Sequence, residues 1–69
     1  MNTSRFFLVD RDGGPADPAV LVTAVPNWAI GGTFSIGTGA RFRIVDIRTD
    51  VAREIADAGF NGVFVVEPL

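Results

Sequence analysis

Pro26-Asn27-Trp28-Ala29-Ile30-Gly31-Gly32-Thr33-Phe34-Ser35-Ile36-Gly37-Thr38-Gly39-Ala40-Arg41-Phe42-Arg43-Ile44-Val45-Asp46-Ile47 reads as a turn, a short strand, a tight loop and a longer strand in one stretch. Pro26-Asn27 ends the run before it, and Gly31-Gly32 permits a sharp backbone bend. Thr33 to Ile36 and Ala40 to Ile47 carry the strand pattern, with Gly37-Thr38-Gly39 as the hairpin loop between them. Working outward, Ala19 to Val25 reads as the strand before this stretch and Arg5 to Asp10 as the first strand. Arg11 to Pro18 is dense in turn formers and reads as a loop.

Beyond the stretch, Thr49 or Asp50 is placed to cap a short helix. Val51, Ile55 and Ala58 follow at i, i+4 and i+7, one apolar helical face, and Arg53 and Asp57 are spaced for an i, i+4 pair. Gly59 stands at the C′ position, Asn61-Gly62 makes a turn, and Val63 to Glu67 is the last strand, stopped by Pro68. The expected fold is mostly β: a small SH3-like or partly open five-stranded barrel with one short α-helix before the last strand. Residues 1–69 form a single domain.

Alternation within the strands adds two expectations. Arg41 and Arg43 point one way and Phe42 and Ile44 the other, yet Val45 and Ile47 then fall on the arginine face. A bulge or strong bend resolves that conflict. In the first, second and last strands both faces are apolar. Phe6 and Leu8 oppose Phe7 and Val9, and Val63 and Val65 oppose Phe64 and Val66. A barrel has one inside, so the second face must meet the helix or another chain.

Composition limits what such a domain does. A chain of 69 residues buries only about 60% of its unfolded surface, so its core is marginal. Cysteine and histidine are absent, which removes disulfides, thiolate metal sites and imidazole chemistry. Lysine, tyrosine and glutamine are absent as well, a bias that fits high-GC coding DNA. The usual general bases and nucleophiles are thereby missing. No enzymatic activity, cofactor or metal is expected. A net charge of −2 argues against nonspecific nucleic-acid binding. The apolar run Phe6 to Val9 is too short for a signal peptide or a membrane span, so the expected location is the cytoplasm or a phage particle assembled there.

Four local patterns invite a site. Asp10-Arg11-Asp12-Gly13 starts like a calcium loop, but Gly14 replaces the third ligand and Leu21 the bidentate glutamate. Gly37-Thr38-Gly39 starts like a phosphate-binding glycine motif, but a strand follows it in place of a helix. Trp28, the lone tryptophan, is either a core residue or an interface anchor. Arg41 and Arg43 share a strand face that either discourages edge pairing or meets an anion. The candidate interface is Phe7, Trp28, Phe60, Phe64 and Val66, and the candidate anion or nucleic-acid contact is Arg41 and Arg43.

Ala24-Val25-Pro26-Asn27-Trp28, then Ile30-Gly31-Gly32-Thr33-Phe34, then Arg41-Phe42-Arg43-Ile44-Val45, with a closing Val65-Val66-Glu67-Pro68-Leu69, covers most of the chain. This pattern resembles small uncharacterised actinobacterial or actinophage β-barrel proteins. Many such relatives carry Gly-Asp where this chain has Gly31-Gly32. The resemblance brings no activity and no catalytic residue; it implies a cytoplasmic bacterial or phage protein. The resulting expectation is a non-enzymatic protein-interaction or assembly module. Its partner is a second copy or a larger host complex, with no membrane role. The alternative is a nucleic-acid-binding small barrel in which Trp28, Phe34 or Phe42 stacks bases and Arg41 and Arg43 contact phosphates.

Overall fold

A computed structural model describes residues 3–37 and 39–69. The strands are β1 (Ser4–Val9), β2 (Pro15–Thr23), β3 (Thr33–Ile36), β4 (Ala40–Arg48) and β5 (Gly62–Pro68), with one helix, α1 (Arg53–Asp57), before β5. They form a single five-stranded sheet in the order β2-β1-β5-β4-β3. β1 and β5 run parallel and the other neighbours antiparallel. The sheet curls into a half-barrel that is open between β2 and β3. The mostly β fold with a partly open barrel and one short helix is therefore as the sequence implies.

The concave side holds the core. Leu8, Leu21, Phe34, Phe42, Ile44, Phe64 and Val66 are buried together, one or two from each strand. Each such side chain contributes roughly 1.5–3 kcal/mol by leaving water. Phe6 stacks on Phe64 with ring centroids 4.1 Å apart, and Phe34 lies 5.7 Å from Phe42. The pairing places Phe6 beside Gly62, where the ring would lie 3.5 Å from any added Cβ. A side chain at 62 would also meet the Arg48 carbonyl at 2.8 Å, so only glycine allows β4, β5 and Phe6 to close this tightly.

A bulge resolves the alternation conflict in β4. Ile44 pairs with Val66 and Asp46 with Val65, so Val45 is the extra residue. Ile47 is thereby returned to the core side, opposite Phe64.

Two expectations change. β2 starts at Pro15, inside the segment read as a loop, and ends at Thr23. Its prolines are tolerated because β2 is an edge strand and its ladder is irregular there. Phe7 pairs with Val20 but Val9 with Pro15, and the cis Asp17–Pro18 peptide lies within that irregularity. The second change concerns α1. Its N-cap is Ala52, with no side-chain hydrogen bond, so neither Thr49 nor Asp50 caps it. Both residues lie upstream of the cap, out of the position that serves the first-turn N–H groups. The C-terminal end is as expected. Gly59 has φ +92°, its N–H reaches the Ala56 carbonyl at 3.0 Å, and the Phe60 N–H reaches that of Ile55 at 3.3 Å. That pair of bonds is a Schellman motif with Gly59 at C′.

Candidate interaction surfaces

The second apolar face is the convex side of β1 and β5, and the α1 region covers much of it. The Arg5 N–H donates to Asn61 Oδ1 at 2.9 Å, and the Asn61 N–H donates to the Arg5 carbonyl at 2.7 Å. These bonds pin the turn after α1 onto β1. Phe60 consequently lies 5.6 Å from Phe7, with the Arg5 guanidinium 5.0 Å from its ring centre. Phe7 and Phe60 are both half-buried in this cluster. Val51 and Ile55 line a gap of about 280 Å³ above Val9 and Val63, so the helix rests on the sheet without filling the space.

The fold separates the five candidate interface residues. Phe64 and Val66 are each 1% exposed at the centre of the core. They are corrected to core residues, because the face they share with Leu8 and Ile44 is the concave one. Phe7 and Phe60 belong to the convex cluster. Trp28 folds over the concave side from the β2–β3 connection, its ring 5.7 Å from Phe34 and 5.9 Å from Phe64. Its Nε1–H is enclosed and has no acceptor among the described residues.

Arg41 and Arg43 are exposed on the outer face of β4. Arg43 Nη1 donates to Glu67 Oε1 at 3.2 Å, and Arg11 lies 3.5 Å from the same carboxylate. The arginine face is therefore mixed in sign. The three aromatic rings proposed for base stacking, Trp28, Phe34 and Phe42, are all packed against the core.

Both loop motifs lie in connections between antiparallel strands. Asp10 Oδ1 accepts the N–H groups of Asp12 at 2.9 Å and Gly14 at 3.1 Å, which makes the β1–β2 turn. Among the described residues no cluster of three metal-ligating side chains occurs. Gly37 and Gly39 have positive φ in the β3–β4 hairpin, and Thr38 lies outside the described residues.

Two features were not anticipated from sequence. A cleft of about 470 Å³ opens where the start of β2 faces β4 and the end of β5, with Phe42 and Val66 in its floor and Asp10, Asp17 and Arg41 among its walls. The separation of those residues along the chain hides it from any local reading. The second is the exposure of Val22 (58%), Val25 (51%) and Ile30 (64%) along β2 and the connection that follows. Among the described residues no helix is long and apolar enough to cross a membrane. No protein-family model, no curated protein and no solved structure matches this chain.

Proposed function

We propose that the chain is a non-enzymatic interaction or assembly module, acting as a homo-oligomer or as an accessory or structural subunit of a larger bacterial or phage complex. The observation that carries this reading is the open seam of the half-barrel. Among the described residues β2 and β3 each have one neighbour in the sheet, so each leaves a row of backbone groups unpaired. Exposed valine and isoleucine side chains lie in β2 and in the connection to β3. Unpaired edges and exposed apolar side chains together suit a partner that adds strands or covers the seam. The cytoplasm, or a particle assembled there, is the proposed location.

Analytical ultracentrifugation in the micromolar range tests the reading, together with affinity capture from the native host. A dimer, a higher species or one reproducible stoichiometric complex is expected. A monomer that captures nothing overturns it. A single-stranded oligonucleotide titration at low salt discriminates the nucleic-acid alternative: submicromolar binding that weakens steeply with salt would replace the assembly reading.

A further inference from the structure

Hydrogen-bond directions identify what the long free edge presents. Arg5 exchanges bonds with Asn61 through both its N–H and its carbonyl, so its backbone addresses the β5 side of β1. Backbone groups alternate sides along a strand, so Phe7 does the same, while Ser4 and Phe6 address β2. Their partners there are Thr23 and Leu21. The N–H and carbonyl groups of Val20 and Val22 therefore point away from the sheet, into the open seam. No backbone bond from another described segment reaches them.

Edges are ordinarily guarded by charge, by proline or by a covering element. Pro15 and Pro18 guard the start of β2. From Ala19 to Val25 nothing equivalent appears, and Pro26 closes the window. No charged residue occurs anywhere from 18 to 40. All the charged side chains, with their sum of −2, lie outside that segment. Two copies of this chain thus meet with least like-charge repulsion across it. β3 also has a free edge, but it is only four residues long, and Thr33 and Ser35 are its exposed side chains.

We propose that β2 pairs with β2 of a second copy, antiparallel about a two-fold axis at Leu21, setting Val20 of each copy opposite Val22 of the other. This names the surface for the assembly reading and rests on it. The arrangement is self-complementary, as a two-fold contact requires. The unpaired groups of Val20 and Val22 satisfy one another, and the exposed Val22 side chains are covered beside Val20 on the convex face.

The test uses the full chain in sedimentation equilibrium, alongside Val22→Pro and Val22→Lys. Proline removes only an outward N–H, and lysine adds charge without altering the backbone. The wild type is expected to dimerise, and both variants to keep their β-type circular dichroism while dimerisation weakens about tenfold or more. A dimer equally stable in both variants overturns this surface and leaves the assembly reading standing. A wild type that stays monomeric overturns the pairing, and host capture then decides the assembly reading separately. Open-ended growth abolished by Ser35→Lys overturns the two-fold in favour of β2 pairing with β3 of the next copy. Should Val22→Pro not fold, amide exchange on the wild type decides. Protection of the Val20 and Val22 amides that rises with concentration supports the pairing, and fast exchange at every concentration overturns it.

Discussion

β5 and α1 are neighbours in the chain and opposites in the fold. β5 lies between β1 and β4, and Gly62, Val63, Phe64 and Val66 are all buried. α1 spans five residues, none of them buried, and has no side-chain cap at its start. Propensity does not explain the difference. The α1 segment contains Ala, Glu and Arg, all good helix formers, but a helix so short cannot sustain itself. β5 is held by two ladders, to β1 over residues 62–65 and to β4 over residues 63–68, and its inward side chains fill the core. α1 is held chiefly at its C-terminal end, by the Schellman bonds and by the Arg5–Asn61–Phe60 clamp. In a domain this small, global stability resides in the sheet, and the helix opens locally at lower cost.

Phe64→Ala breaks the comparison at its strongest point. Phe64 touches Phe6 and Trp28 in the core, and truncation of a buried Phe costs about 3–5 kcal/mol. A small domain has only about 5–15 kcal/mol in total, so urea denaturation should find this variant largely unfolded or barely folded. A midpoint close to wild type would remove β5 from the centre of the fold. Gly62→Ala acts at the same strand by the opposite route, overfilling it. The added methyl meets the Arg48 carbonyl at 2.8 Å, and backbone has to move. A loss of about 1–3 kcal/mol is expected, read as a lower melting temperature.

The fold is legible in the sequence where a local pattern carries the physics. The β3–β4 hairpin is bounded by its glycines, Gly59 is required by a left-handed φ, and the Ile44–Ile47 conflict announced the bulge. It is not legible where several segments decide together. Both faces of β1 and β5 are apolar, so no pattern within either strand says that Phe64 and Val66 face inward and Val63 faces the helix. That choice depends on the curl of the whole sheet. Pro15 and Pro18 read as loop because their tolerance depends on β2 being an edge. The open seam between β2 and β3 is a property of topology, and no residue in either strand encodes it alone.

Gly59→Val moves the comparison to the helix. A β-branched residue at φ +92° is strained, and its side chain would start 3.3 Å from Arg5 Nη1. The expected loss is about 1 kcal/mol or more, roughly 4–8 °C in melting temperature for each kcal/mol. Amide exchange should quicken around α1 more than in β5. Equal acceleration in both would mean that the helix and the sheet open as one unit.

The smallest effect is a gain, and it tests why α1 is weak. Ala52 occupies the N-cap with φ −57° and ψ 150°, an extended conformation that a capping side chain accepts. Its methyl group offers no acceptor to the N–H groups of the first turn, of which that of Ile55 bonds the Ala52 carbonyl at 3.0 Å. Ala52→Asp supplies an acceptor there and a negative charge at the positive end of the helix. Ala52 is exposed, so the substitution displaces nothing from the core. An increase of about 0.5–1 kcal/mol is expected where the helix unfolds with the whole domain. If α1 instead opens on its own, as its lack of buried residues implies, the cap will slow exchange of the α1 amides and leave the global melting temperature nearly unchanged. Hydrogen exchange and thermal denaturation on the same variant separate the two cases. Protection confined to α1 upholds the contrast with β5, and a full rise in melting temperature would show the two elements to be cooperatively joined.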